Sequence, residues 1–405
     1  MNKLRIAMLA YHSDPYGPLG GKKSGGMNVY VRNLSSALAQ LGHQVDVYTR
    51  AWEAKKRESV VESNLRQFQV AAGPLVAETA TLINYVDEFA KGILERGRDY
   101  DLVHAHYWLS GLAGRSIRDH LKIPLVNSMH TLGLVKERVM RGIQSENDQR
   151  ILEERRILQA SDQVIASTIA EQADLQWLYE VQSAKVETIQ PGVDLSLFKP
   201  MEMSAARRNL NLNSDERYLL FVGRIDPIKG LDVLISALSR VQDKNVRLIV
   251  VGGRSAEPDG IGNSLAKELI NQSKSLEIKD RVIFAGSKSQ EELVSYYNAC
   301  DAVILPSHHE TFGLVALEAM ACRRPVIASR VGGLADFVQD NETGLLANAN
   351  DPSDLAAIID ELLESEALGE ELAAKAEEFA KSSSWNDCAV EMASIYKQVV
   401  QDFQP

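Results

Sequence analysis

The sequence predicts an α/β protein of two doubly wound domains in succession. Three observations carry this. Short apolar runs alternate with longer amphipathic stretches from end to end. The runs are rich in Val, Ile and Leu throughout, as in parallel strands covered on both faces. And 405 residues exceed what one core comfortably holds, so two domains of roughly 150–200 residues each are expected.

The candidate strands of the first half are Leu4–Ala10, Gln44–Thr49, Gln67–Ala72, Leu102–His106, Pro124–Ser128, Gln163–Ala166 and Lys185–Ile189. Helical patterns lie between most of them, as at Asn28–Leu41 and Leu82–Glu95. The second series runs Tyr218–Val222, Arg247–Val251, Val282–Phe284, Ala302–Leu305 and Pro325–Ala328. Helical stretches at Leu231–Val241, Ile261–Leu276 and Glu291–Ala299 separate these strands. The turn-rich segment Pro191-Gly192-Val193-Asp194 through Pro200 marks the join, followed by a polar stretch, Met203–Asp215. The domains expected are 1–195 and 196–382, with 383–405 as a C-terminal amphipathic helix returning to the first domain.

Composition narrows the function. The net charge of -11 disfavours nucleic acid, because phosphate backbones need a basic surface. Cys300, Cys322 and Cys388 form no C-x-x-C pair and read as small core residues. The N-terminal apolar run Leu4–Ala10 is too short for a signal peptide, and no run approaches a membrane span. A cytoplasmic protein without membrane association is expected; the assembly is open, a homodimer included.

Ligands of doubly wound sheets sit beyond the carboxyl ends of the strands, so the residues following each strand matter most. After the first comes a loop with Gly17, Gly20, Gly21, Gly25 and Gly26, leading into a helix near Met27-Asn28. Glycines let backbone N–H groups approach a phosphate, and a helix start favours an anion. The P-loop pattern is not met, since no Gly lies five positions before a Gly-Lys pair. His104-Ala105-His106-Tyr107-Trp108 follows another strand and reads as a polar cleft edge rather than a metal site, lacking a third ligand nearby. Asp99-Tyr100-Asp101 precedes its strand and is a turn. His130 and Thr131 end the next strand, where a ligand contact and a structural histidine are both open. The stretch Lys136–Arg156 reads as a solvated helix whose Arg and Lys residues pair with Glu137, Glu146, Glu153 and Glu154, one or two cations excepted.

In the second half, Arg224 and Lys229 follow the first strand, with Gly230 starting a helix. Two cations there suit a departing diphosphate, whose growing charge they would stabilise. The competing reading is a surface ion pair of Arg224 with Asp226. Glu310-Thr311-Phe312-Gly313-Leu314 follows Leu305-Pro306, and Glu318 lies eight positions beyond Glu310. A helix starting near Gly313 would offer free N–H groups to hydroxyls. The two carboxylates could instead be a glycosidase pair, but that leaves Arg224 and Lys229 without a task.

Taken together, Ser24-Gly25-Gly26-Met27-Asn28-Val29-Tyr30, His104 to Trp108, Pro191 to Asp194, Gly223-Arg224 with Lys229-Gly230, and Glu310 with Glu318 resemble glycosyltransferase family four over nearly the whole chain. Among its members the chain is similar to the mycothiol-pathway inositol-phosphate N-acetylglucosaminyltransferases and to bacterial sucrose-phosphate synthases. The resemblance implies the GT-B fold, two Rossmann-like domains with a cleft between them. It also implies retaining transfer of a glucosyl-type sugar from a nucleotide sugar, UDP-glucose or UDP-GlcNAc, to a small-molecule acceptor, with no further cofactor and no metal. Arg224 and Lys229 would hold the diphosphate with backbone N–H groups at Gly25 and Gly26. Glu310 and the backbone of Phe312, Gly313 and Leu314 would hold sugar hydroxyls, Glu318 the ribose, and Lys288 would lie against the base. His130 would contact the donor sugar; Arg224, Lys229, His130 and Glu310 form the catalytic set. Asn28, Tyr107, Thr131 and Arg150 would contact the acceptor. One departure stands out: the mycothiol enzymes carry a phosphate-binding lysine after the segment matching Ala71–Pro74, yet Leu75 to Ala90 holds no Lys or Arg. A different sugar phosphate, a neutral sugar or a polyol is therefore open as acceptor. A sugar-nucleotide epimerase and a non-catalytic sugar-nucleotide-binding protein are the competing classes.

Overall fold

The computed structural model describes residues 3–17, 25–53, 58–77, 79–140, 148–253 and 264–404. Gly20, Gly21, Ser24, Arg141 and Glu146 of the motifs above lie outside the described residues. The chain forms two compact units. The first comprises the chain up to Gly17, Gly26–Pro191 and Trp385 onwards; the second is Gly192–Ser384 together with Gly25.

The first unit holds strands β1 (Arg5–Leu9), β2 (Gln44–Arg50), β3 (Glu58–Glu62), β4 (Leu65–Val70), β5 (Leu102–His106), β6 (Leu125–Ser128), β7 (Gln163–Ala166) and β8 (Val186–Thr188). They form one sheet in the order β3-β4-β2-β1-β5-β6-β7-β8. All neighbours are parallel except the β3–β4 hairpin. β3 was not expected. Its residues Glu-Ser-Val-Val-Glu are mostly exposed at the sheet edge, so no buried pattern marks it. The stretch Lys136–Arg156 is not one helix. Gly133–Val139 and Asp148–Ala160 are separate helices, and Glu154 of the second is completely buried rather than solvated. The C-terminal helix Trp385–Asp402 packs on the helix Gly26–Gln40.

The second unit holds β9 (Arg217–Val222), β10 (Val246–Val251), β11 (Val282–Gly286), β12 (Ala302–Leu305), β13 (Val326–Ser329) and β14 (Leu345–Ala347). Their order is β11-β10-β9-β12-β13-β14, all parallel. Leu220 of β9 packs in one apolar cluster while Leu219 and Phe221 pack in the other, so the sheet is covered on both faces. That is why its strands carry no polar alternation. The three cysteines are buried free thiols.

In both sheets the strand order reverses beside the first strand, between β1 and β5 and between β9 and β12. Loops leaving two neighbouring strands in opposite directions open a crevice there, where ligands of such folds bind. In the second unit the loops at this point are locked together. Gly230 sits at φ +64°, and a Cβ there would lie 2.0 Å from the Pro306 carbonyl oxygen. Gly252 is similarly tight, a Cβ falling 1.8 Å from the Gly223 oxygen. The backbone N–H of His308 donates to Ile228 at 2.8 Å. Gly230→Ala is therefore expected to destabilise the second unit by about 2 kcal/mol, read as a lowered denaturation midpoint with unchanged slope.

Candidate functional site

The two loops at the switch point of the second unit carry Lys229 and Glu310, 81 positions apart in sequence. Asp226 caps the short 3-10 turn Pro227–Lys229 by accepting from the Ile228 N–H, which holds Lys229 over the strand end. The Lys229 ammonium donates to Glu310 Oε2 at 2.6 Å, both side chains being partly exposed. Glu310 is itself clamped from the β13 side. Its carbonyl accepts from the Gly333 N–H at 2.9 Å. Gly332 at φ +44° leaves no room for a Cβ against that same oxygen. Arg224, by contrast, is exposed and lies 3.5 Å from Asp226. The surface ion pair weighed from the sequence is thus present in the structure, though too exposed to be worth much on its own.

Gly313, at φ +91°, opens the helix Leu314–Ala321, and a Cβ on it would press on Leu334 and Glu310. Phe312 is buried and stacks on Phe337 at 5.0 Å. This helix carries Glu318 inward, about one turn from its start. Glu318 accepts from the Tyr297 hydroxyl at 2.6 Å and from Gln290 Nε2 at 3.4 Å. Lys288 lies beyond β11, 3.7 Å from Glu292 and over the ring of Tyr296.

In the first unit the strand ends assemble a second group. Tyr107 follows β5 with φ +76°, a left-handed value uncommon for a bulky residue. Its ring lies 4.3 Å from that of His12, which follows β1. The Arg150 guanidinium sits over the Tyr107 ring at 5.3 Å and donates to the Thr131 hydroxyl and carbonyl at 3.1 and 3.2 Å. Arg150 Nε donates to Glu154 at 2.7 Å. Glu154 also accepts from the Gly133 N–H and from the Tyr179 hydroxyl. Tyr107, Thr131 and Arg150 are therefore one cluster, organised by a carboxylate that the sequence reading left on a solvated face. Asn28 is buried in the helix Gly26–Gln40, and its amide donates to the Asp14 carbonyl at 3.0 Å. Among the described residues nothing lies within 4 Å of a Cβ built on Gly25, and Gly26 begins that helix.

His104 and His106 are not a cleft edge: both are completely buried. His104 meets the Tyr396 hydroxyl at 2.5 Å and Ser128 Oγ at 2.9 Å, while His106 Nδ1 meets His130 Nε2 at 2.9 Å. Burial pushes His104 down to about 3, His106 well down, and His130 down to about 3, so all three imidazoles are neutral near pH 7. Among the described residues no group of three or more His, Cys, Asp or Glu side chains is placed to hold a metal ion. Beside the segment that lacks a phosphate-binding cation, Arg50 at the end of β2 is turned inward. It is completely buried and donates to the carbonyls of Ala72 and Leu75. A groove of about 790 Å³ lined by Arg240, Ser353, Asp360 and Glu364 holds none of the motif residues.

Comparison with known proteins gives the family. Residues 24–197 match the family model described as Glycosyltransferase Family 4, and residues 202–382 match that of Glycosyl transferases group 1. The D-inositol 3-phosphate glycosyltransferase of Xylanimonas cellulosilytica is 37% identical over 98% of this chain and 97% of its own. The enzyme of the same name from Mycobacteroides abscessus is 37% identical over 99% and 90%. The chain belongs to glycosyltransferase family 4. Its solved neighbours include the sucrose-phosphate synthase of Thermosynechococcus elongatus, 33% identical with a TM-score of 0.90, covering 98% of this chain and 99% of that one. This glycosyltransferase thus has the GT-B fold of two Rossmann-like units and is a hexosyl-transferring enzyme. Among its described residues no helix is long and apolar enough to cross a membrane.

The buried carboxyl of Glu318 gives this glycosyltransferase a pH signature. Burial raises it from 4.5 to about 7, against the lowering effect of the Tyr297 and Gln290 hydrogen bonds. A carboxyl raised in the folded state stabilises fully below its unfolded value, and that contribution is lost as pH rises through the folded value. The stability difference between the unaltered enzyme and Glu318→Gln is expected to shift against the unaltered enzyme between about pH 4.5 and 7. The shift is on the order of 2 kcal/mol, measured by denaturant titration at each pH. A flat difference would show that the carboxyl is not desolvated. Glu171, also raised to about 7 by burial, is left intact in both proteins and cancels.

Proposed function

We propose that this enzyme transfers glucose or N-acetylglucosamine, with retention, from a UDP-linked donor to a small polar acceptor such as a sugar, a polyol or a sugar or inositol phosphate. The observation that carries the reading is the Lys229–Glu310 pair at the β9/β12 switch point. A sugar diphosphate presents hydroxyls and an anion side by side, and this pair offers an acceptor for the first and a cation for the second. An ammonium has three donors, so Lys229 can keep Glu310 and still bind a phosphate oxygen.

In this reading Arg224 and Lys229 stabilise the charge that appears on the departing diphosphate, and Gly25 and Gly26 offer backbone N–H groups to a phosphate oxygen. Glu310 orients the sugar hydroxyls with the backbone of Phe312, Gly313 and Leu314. Glu318 accepts from the ribose hydroxyls through lone pairs its protein partners leave unused, and Lys288 lies against the base. His130 contacts the donor sugar. Asn28, Tyr107, Thr131 and Arg150 receive the acceptor. The acceptor hydroxyl attacks the face that the diphosphate leaves, and an oxygen of that diphosphate takes the proton, so no protein base is needed.

The names of the relatives favour a phosphorylated acceptor, whereas the absence of Lys and Arg from Leu75 to Ala90 favours an uncharged one. Incubation with UDP-glucose, UDP-GlcNAc or ADP-glucose and a panel of free and phosphorylated sugars and polyols decides both partners. Acceptor-dependent nucleotide release with an α-linked product supports the reading. Release of free sugar without acceptor would indicate an epimerase, and binding without turnover a sugar-nucleotide sensor.

A further inference from the structure

Arg50 ends β2 and is completely buried, yet the fold gives it no countercharge. Its Nε–H donates to the Ala72 carbonyl at 2.7 Å. Nη1 reaches the Leu75 carbonyl only at 3.4 Å, and Nη2 is buried without a hydrogen-bond partner. The guanidinium lies over the Trp52 ring at 4.6 Å. Among the described residues no carboxylate pairs with it. Glu88, on the helix Val86–Leu94, accepts instead from the Gly73 N–H at 2.8 Å. Burial pulls the Arg50 pKa down, but a guanidinium stays charged at neutral pH.

A buried cation ordinarily has an anion beside it, because its desolvation is otherwise uncompensated. The inward-turned Arg150 and Arg207 follow this rule, with Glu154 and Asp301 as partners. Arg50 does not. Bracing the two carbonyls does not account for the charge, since a neutral side-chain amide also carries two N–H groups. The anchoring is one-sided as well. Nε is held at an ordinary distance, whereas the outer edge of Nη1 and Nη2 is nearly unsatisfied. That edge presents two parallel N–H groups, the geometry in which arginine takes a phosphate.

The cover over this edge is thin. Leu75 is 41% exposed and Val76 is 94% exposed. Gly73, at φ +66° and tied to Glu88, gives the segment a pivot, so Leu75 can move away while the Ala72 bond remains. The place also fits. The Arg50 N–H donates to the Tyr11 carbonyl at 3.2 Å, and the ring of His12, the next residue, lies against that of Tyr107. β2, β1 and β5 are neighbours, so Arg50 ends a strand two places from the one before Tyr107, roughly 10 Å across the sheet.

We propose that Arg50 is a binding residue for a phosphate monoester on the acceptor, and that the Leu75 carbonyl holds that place until the acceptor displaces it. The role toward an acceptor rests on the function proposed above; the anion site does not. A phosphate makes two charge-assisted bonds where the carbonyl makes one long neutral one, and it brings the countercharge that the fold withholds. The cation absent from Leu75 to Ala90 is then supplied by β2, the strand paired with β4.

The test uses the full chain labelled with ¹⁵N at arginine and inorganic phosphate as the probe, with and without UDP. The Nε–H signal of Arg50 is assigned by its loss in Arg50→Lys. Phosphate is expected to displace that signal saturably, and chloride at equal ionic strength is not. An Arg50 signal that phosphate leaves in place overturns the proposal, and this measurement needs no variant beyond the one used for assignment. Arg50→Gln keeps a donor for the Ala72 carbonyl and is expected to bind phosphate at least about tenfold more weakly, as loss of hydrogen bonds to a charged group allows. Equal affinity in that variant also overturns the proposal, because other groups then hold the anion. In turnover, Arg50→Gln should raise KM for the phosphorylated member of an acceptor pair, D-inositol 3-phosphate against inositol or glucose 6-phosphate against glucose. KM for the unphosphorylated member and kcat should change little. A brace for the loop would affect both members alike, and that result counts against an anion site. If phosphate displaces the Arg50 signal but no nucleotide sugar is turned over, the proposed function fails and the anion site stands.

Discussion

Replacing Lys229 with alanine is expected to lower kcat by about 10²–10³-fold while leaving the fold intact. The rate effect follows from where charge develops. When the sugar–phosphate bond breaks, the diphosphate gains negative charge, and a cation already fixed at that position stabilises the transition state more than the bound substrate. Lys229 is held there by the Asp226-capped turn and by Glu310 at 2.6 Å, so little reorganisation is needed. The stability effect is small for a separate reason. Glu310 is partly exposed, and water can take the place of the lost ammonium, so the denaturation midpoint should move by no more than about 1 kcal/mol equivalent. Lys229→Arg keeps the charge but not its shape and should recover only part of the rate. Arg224→Ala should also slow turnover, though less, because its guanidinium is exposed to solvent. Single-turnover measurement of nucleotide release separates chemistry from product dissociation. Turnover unchanged in Lys229→Ala would remove the diphosphate assignment.

Much of this was legible in the sequence because doubly wound sheets write themselves as uniformly apolar runs. Each strand-end motif then names its own place: Tyr107 and His130 follow β5 and β6, and Lys229 and Glu310 follow β9 and β12. What could not be read is which strand ends become neighbours. The Lys229–Glu310 pair depends on β12 lying beside β9, which the sequence order alone does not state. The edge strand β3 was missed because it is exposed, and β14 because three residues carry too little pattern. The histidines were misplaced for a related reason. Their burial comes partly from Tyr396, 292 positions from His104, on a helix whose partner its own amphipathic pattern does not name. Glu154 was misjudged because a helix dense in Glu and Arg reads as solvated, whichever single pair turns inward. Gly332 and Gly333, which clamp Glu310, had no chemical signal; only their shared loop position after β13 could have pointed to them.

Glu154 is where the largest loss of stability is expected. Glu154→Ala should cost about 3–5 kcal/mol, the range for removing one partner of a buried ion pair. Its carboxylate is completely inaccessible and gathers three donors: Arg150 Nε, the Gly133 N–H and the Tyr179 hydroxyl. Alanine would leave a nine-tenths buried guanidinium without its carboxylate, and two further buried donors without an acceptor. Glu154→Gln separates charge from hydrogen bonding. It retains an acceptor oxygen but not the countercharge, and its amide N–H would face the guanidinium, so it should recover a minor part of the loss. The charge-free double variant Arg150→Met, Glu154→Leu is the decisive comparison. If desolvation of the pair nearly cancels its attraction, the double variant should be more stable than Glu154→Ala while still lacking acceptor binding. A rise in acceptor KM with unaltered donor KM in the double variant would then assign the cluster to the acceptor rather than to the fold. Stability unchanged in Glu154→Ala would mean that Arg150 finds solvent by a route this packing does not show, and the cluster would lose its claim to be a preorganised site.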